Sequence, residues 1–253
     1  MSNRFLYFLI YNVLFLLNIN ISFADSLPNR IVEVSAKFLN KPYLADPLGE
    51  GPQGKFSQKP LYRFDAFDCQ TYVETVMALS LSHTMQQFQQ QLLQIRYSNG
   101  KPDFYTRNHF PGIDWIPHNI QKKYIIYSPL NTDSISIIID KQQWFNAKTQ
   151  RKNPSIPSRI KVTLPYIALS RVPFIIDKIP DSAIIMIVRP TFLLISHTGF
   201  AVWKNNVLYL REASSYHHKV TDVPLLEYLQ AQAHYGVKGI VVLIPQDNRQ
   251  QSP

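Results

Sequence analysis

Cysteine occurs once in 253 residues, at Cys69, which excludes an internal disulfide framework and any zinc cluster built on paired thiolates. Glycine is sparse too: eight residues support neither a collagen-like repeat nor a glycine-rich linker array. Charged residues make up only 17% against 45% apolar, a balance that excludes wholesale disorder and leaves material for an ordinary core. Acid is short relative to base. With 26 Lys and Arg against 17 Asp and Glu, the formal charge is +9. Taken alone, such a surface suits nucleic acid, an anionic membrane or an anionic polymer outside the cell. There is no glycine-rich phosphate loop and no GxSxG elbow, and His217-His218 lacks the helical spacing of a metal pair. Neither a metal nor a cofactor is expected.

The one long apolar run stands at the start of the chain. Arg4 precedes an almost wholly apolar Phe5–Leu17, and Ser22-Phe23-Ala24 places small residues at the −3 and −1 positions before Asp25. That pattern predicts a secretory signal over residues 1–24. Asn12, Asn18 and Asn20 break the run short of the roughly 20 apolar residues a membrane span needs. No later segment is long and apolar enough to span either. The expectation is therefore a periplasmic or secreted protein, with residues 25–253 forming a single domain and no integral membrane association after cleavage. We take it as a monomer. Export removes nucleic acid from the partners and turns the basic surface towards an anionic extracellular polymer.

Helical spacing appears first. Ile31, Val34, Phe38 and Leu39 mark a helix within 27–39, and a glycine- and proline-rich loop covers 45–61. Asp68 stands where an N-cap would stand, ahead of a strongly apolar helix from Cys69 through Leu81. A further helix, 84–95, turns Phe88, Leu92 and Ile95 inwards. Residues 99–180 mix Pro, Asn, Trp and Tyr with short apolar runs and read as an inserted lobe. The last third turns to strands: 183–188, 195–203, 207–211 across Lys204-Asn205-Asn206, and 239–244, with a short helix over 224–232. Helices followed by antiparallel strands make an α+β layout.

Cysteine catalysis needs a thiolate, a base to form it and a group to orient the base. Cys69 just after an N-cap would aim its sulfur at the positive end of a helix dipole, which lowers a thiol pKa. An inert buried cysteine is the plainer alternative. Among seven histidines, His197 begins an apolar strand, with Gly199 two residues on allowing close backbone approach. A packed strand histidine would look the same. Glu212 follows the neighbouring strand and would accept the second ring N–H of His197, although a surface carboxylate at a strand end is a common object.

These residues carry a resemblance. Tyr62-Arg63-Phe64-Asp65-Ala66-Phe67-Asp68-Cys69-Gln70-Thr71-Tyr72-Val73-Glu74 resembles the nucleophile segment of the NlpC-type, papain-like cell-wall hydrolases, in their N-acetylmuramoyl-L-alanine amidase-like branch. So do Lys41-Pro42-Tyr43-Leu44, Pro47–Gly51, Thr106-Arg107-Asn108-His109-Phe110 with Asp114-Trp115-Ile116, Ser196-His197-Thr198-Gly199 and Leu210–Ser215. The resemblance runs from about Leu27 to Ile244. It implies a papain-like core of N-terminal helices packed on an antiparallel sheet or half-barrel, and a secreted cysteine amidase acting on peptidoglycan or muropeptides. Cys69 would be the nucleophile, His197 the base and Glu212 the orienting group. Arg107 and His109 would grip substrate carboxylates, and Tyr62, Asp65, Asp68, Tyr166 and Ser196 would line the groove. The chain departs from the family pattern at position 212, where a histidine is expected, and at Asp181-Ser182-Ala183, where Gly-Asp is usual. A stem-peptide endopeptidase and a non-catalytic peptidoglycan-binding protein stay open as alternatives.

Overall fold

The computed structural model describes residues 26–191 and 193–248; the expected leader lies outside them. Among the described residues three helices come first: α1 (Leu27–Ala36), α2 (Cys69–Ser80) and α3 (Met85–Arg96). Helix α2 is buried from Thr71 to Ser80, so it can carry almost no charge along that length. Its one charged side chain, Glu74, meets Arg96 of α3 at 2.6 Å with both groups buried, and Arg96 also donates to the Leu61 carbonyl at 2.5 Å. This pair ties the helix that carries Cys69 to its neighbour.

A π-helical turn (Pro111–Trp115) runs into α4 (Ile116–Gln121). Strands β1 (Ile125–Tyr127) and β2 (Asp133–Ile139), helix α5 (Lys141–Thr149), strand β3 (Ile160–Ala168) and a short helix α6 (Val172–Ile175) follow. The chain closes with β4 (Ile184–Val188), β5 (Ile195–Lys204), β6 (Val207–Ser214), β7 (Lys219–Pro224), α7 (Leu225–Ala233) and β8 (Gly239–Pro245). The eight strands of the described residues form one antiparallel sheet in the order β2-β3-β8-β4-β5-β6-β7, with β1 sharing the β3 edge of β8. The α+β layout stands.

The middle of the sheet is covered on both sides. On β4, Ile184, Met186 and Val188 join the core under α1, α2 and α3, whereas Ile185 and Ile187 join a second core with Leu225 and Leu229 of α7. On β8, Val241 and Leu243 take the first side, Ile240 and Val242 the second. A strand buried on both faces has no polar alternation, which is why these runs are unbroken aliphatic sequence.

The segment expected as an inserted lobe is built into this frame. Strand β3 pairs with β8 through Ile167↔Ile240, and Trp115, Ile116, Ile125 and Leu164 lie in the same core as the helices. What projects is the β2–β3 hairpin with α5, whose Trp144 and Phe145 rings pack on Phe104 and Phe110.

Two local features place the site. The β5–β6 turn holds Asn205 and Asn206 both at positive φ, 48° and 62°, the two-residue geometry that matches strand twist. It fixes the register Phe200↔Arg211 and so sets Glu212 beside the start of β5. Gly199 then lets β6 come close: a methyl group there would lie 2.5 Å from the Arg211 carbonyl oxygen. Backbone cannot yield as a side chain can. Gly199→Ala is expected to lower stability by about 1–3 kcal/mol in a denaturant titration. It should also depress activity by moving β6 away from β5.

Candidate active site

Helix α2 begins on a reciprocal cap. The Asp68 carboxylate accepts from the Thr71 N–H at 2.7 Å, and the Thr71 hydroxyl accepts from the Asp68 N–H at 3.0 Å. The Tyr72 N–H reaches the Asp68 carbonyl at 3.0 Å. Two orphan donors of the helix start, the N–H groups of Asp68 and Thr71, are thereby taken up, and the Tyr72 bond is the first of the helix proper. The N–H groups of Cys69 and Gln70 have no partner among the described residues. They are the two adjacent to the sulfur. Cys69 itself is half-buried, neither sealed in the core nor fully exposed.

His197 comes from β5 just past an irregularity in the β4–β5 pairing, where Ile187 lies opposite His197 but Val188 opposite Ile195. The extra residue, Ser196, is exposed and its hydroxyl donates to the Ile187 carbonyl at 3.4 Å. Such a bulge re-aims the next side chain. The imidazole points its Nε2 at Oε2 of Glu212 in an ion pair whose carboxylate is almost fully buried. The Cys69 sulfur acts on the same ring, its charge and hydrogen-bonding capacity both raising the imidazole.

The electrostatics of this row are unequal. Burial is the largest single influence on His197 and pulls its pKa down. The negative charge and hydrogen bond of Cys69, then the hydrogen bond and charge of Glu212, outweigh it and push the imidazole up from 6.5 to about 10. At neutral pH the ring is therefore a cation.

Two tyrosines stand near the row, and neither was legible as a site residue beforehand. The Tyr228 ring from α7 stacks on His197, centroids 5.8 Å apart and planes at 26°. Its hydroxyl is raised by burial first and then by the charges of Glu212 and Cys69. Tyr43 is likewise raised by burial, then by Cys69 and Asp68. Both hydroxyls thus stand within the field of the sulfur. Tyr43 was visible only as a member of a motif; Tyr228 gave no signal, because a tyrosine in a short amphipathic helix is ordinary.

Of the other anticipated site residues, several are occupied elsewhere. His109 is a correction: its Nε2 bonds to the Phe104 carbonyl at 2.7 Å, and its ring packs against Phe104 and Trp144. Burial and then the Arg107 charge push its pKa down to about 3. A neutral ring whose Nε2 is engaged offers a carboxylate no charge. Asp68 is a helix cap, with its Oδ1 engaged by Thr71. Tyr62 packs on Phe64 and Phe88 and accepts a hydrogen bond from Gln89. Tyr166 sits on β3 opposite Asp133, half-buried against the core. Asp65 is held in a two-pronged pair with Arg63 at 2.7 and 2.8 Å. Arg107 donates to the Leu48 carbonyl at 3.0 Å, and its charge acts on Asp68.

Among the described residues, no group of three or more His, Cys, Asp or Glu could hold a metal ion, and no helix is long and apolar enough to cross a membrane.

The geometry has counterparts. Residues 33–237 match the model of the AmiA-like, N-acetylmuramoyl-L-alanine amidase-like family. A crystal structure of a protein from Legionella pneumophila str. Philadelphia 1, of family DUF1460, is 32% identical with a TM-score of 0.80, over 88% of this chain and 90% of that one. A crystal structure described as an N-acetylmuramoyl-L-alanine amidase from Bacteroides uniformis is 25% identical with a TM-score of 0.74, over 87% and 99%. No curated protein matches the chain.

Proposed function

The chain belongs to the AmiA-like, N-acetylmuramoyl-L-alanine amidase-like family, and from that premise we propose that it is an exported cysteine amidase with a papain-like arrangement of nucleophile and base. Its bond is the amide between the lactyl group of N-acetylmuramic acid and L-alanine, in peptidoglycan or in released muropeptides. One observation supports the reading: the His197 imidazole pairs with the Glu212 carboxylate and lies within electrostatic reach of the Cys69 sulfur.

In this mechanism the Cys69 sulfur, as thiolate, attacks the lactyl carbonyl carbon. The developing oxyanion meets the unpartnered N–H groups at the start of α2, those of Cys69 and Gln70, which need no rearrangement to receive it. His197 gives its proton to the departing alanine nitrogen, and the carbon–nitrogen bond breaks to leave a thioester. A water molecule, deprotonated by His197, then attacks the thioester carbonyl. The products are a muramyl carboxylate, a peptide with a free L-alanine amine and the restored thiol. Glu212 keeps the ring oriented and its cationic form stable throughout, a task a carboxylate performs at the position where the family pattern expects histidine.

Mass analysis of a muropeptide digest tests the bond. Release of an intact peptide beginning with L-alanine is the expected product. Fragments cut inside the stem peptide would replace the amidase with an endopeptidase. Retention on sacculi without any cleavage would leave only a binding protein.

A further inference from the structure

Charge is unevenly distributed along the chain. Between Asp140 and Asp177 there is no acidic residue, while seven lysines and arginines stand in the same stretch. Two of them are neutralised: Lys141 pairs with Asp114, and Arg171 with Asp133. The other five, Lys148, Arg151, Lys152, Arg159 and Lys161, are all exposed, and none has an acidic partner among the described residues. They belong to the projecting lobe, the β2–β3 hairpin with α5. Its one acid without a cation is Asp140, whose carboxylate caps α5 by accepting from the Gln143 N–H at 2.8 Å. The lobe therefore presents a strong positive excess to solvent.

The five cations are held on one body. Ile139 pairs with Ile160, which brings Arg159 and Lys161 beside the start of α5. Lys148, Arg151 and Lys152 stand at its other end, about 13 Å away along a helix of nine residues. Gln142 reaches the Asn153 and Ile156 carbonyls at 3.4 Å and holds the return segment against the helix. Strand β2 turns Ser134, Ser136 and Ile138 outward. Ile138 breaks that polar row: it is 59% exposed and lies directly opposite Lys161. The rings of the lobe do not accompany it, since Trp144 and Phe145 pack on Phe104 and Phe110. This combination discriminates between anionic partners. A glycan strand is gripped by exposed aromatic faces, which the lobe turns inward. A bilayer needs no such platform: its headgroups attract clustered cations without fixed partners, and its acyl boundary takes an aliphatic side chain set among them.

We infer that this lobe is a docking surface for an anionic lipid bilayer, with the five free cations over the headgroups and Ile138 at the acyl boundary. The inference stands on charge and exposure and does not depend on the amidase reading. Protein purified after export is sedimented with vesicles of phosphatidylglycerol and phosphatidylcholine, one part to three, and with vesicles of phosphatidylcholine alone. Binding is expected to the mixed vesicles and not to the neutral ones, falling at least about tenfold as salt rises from about 0.05 to 0.3 M. The triple variant Lys148→Gln, Arg151→Gln, Lys152→Gln should weaken it about 50-fold. Lys37→Gln, Lys178→Gln, Lys238→Gln removes the same charge outside the lobe and should weaken it less than about threefold. Ile138→Ser should weaken it about threefold. Thermal unfolding of the lobe variants should stay near the wild type, because every position changed is exposed. Absence of binding to the mixed vesicles, equal binding to the neutral ones, equal loss in the two triple variants, or indifference to Ile138→Ser overturns the assignment. So does lobe-dependent retention on isolated sacculi by a protein that ignores vesicles, which would give the surface to the wall polymer.

Discussion

Cys69→Ala is expected to lose at least about 10³-fold in kcat/KM on a muropeptide while unfolding at nearly the wild-type temperature. The two readouts separate chemistry from structure. The sulfur contributes little packing, because Cys69 is only half-buried and the cap beneath it is made by Asp68 and Thr71. Losing the thiol removes the only nucleophile of the row but leaves the helix start intact. His197→Ala should lose a comparable factor, and the double variant little more than either single one, since nucleophile and base act as a unit. Iodoacetamide should inactivate the wild type with one equivalent incorporated, the chain having one cysteine. Undiminished cleavage by Cys69→Ala would remove the nucleophile assignment and, with it, the purpose of the His197–Glu212 pair.

What could be read before the fold was known divides along the range of the interactions. The start of α2 was legible because it is local: Asp68 and Thr71 lie three residues apart, and the apolar helix after them follows from burial on all sides. Glu212 was legible at one remove, since the Asn205-Asn206 turn fixes which residue of β6 lies near His197. The strand bearing it runs on to Ser214, past the expected end at Arg211, because pairing with β7 carries it further. Strand β7 itself, Lys-Val-Thr-Asp-Val-Pro, has a mostly polar sequence and owes its conformation to β6, which no short window shows. Tyr228 stacks on a ring 31 positions earlier, and although its helix was expected, only tertiary packing reveals the contact. His109 was misread for the opposite reason. Its motif gave the residue, but Trp144 and Phe145, which enclose it, arrive from α5 much later in the chain.

Glu212→Gln keeps the size and shape of the side chain and deletes its charge, so its pH profile distinguishes an electrostatic role from mere packing. In the wild type His197 is raised from 6.5 to about 10, against the downward pull of burial, by Cys69 and then by Glu212. Without the second anion, burial recovers part of that rise, and the alkaline limb of kcat/KM is expected to move down by about one pH unit. The maximal rate should fall about 10²-fold, the range seen when a histidine loses the partner that orients it. Stability carries the same signature. A histidine raised on folding stabilises fully below its unfolded value near 6.5, and that contribution drains away as pH climbs towards about 10. In Glu212→Gln the decline should therefore begin and end at lower pH, which urea midpoints measured between pH 6 and 10.5 would resolve. An alkaline limb unmoved in both rate and stability would show that Glu212 does not bear on the imidazole charge, and would leave the His197 cation without its second support.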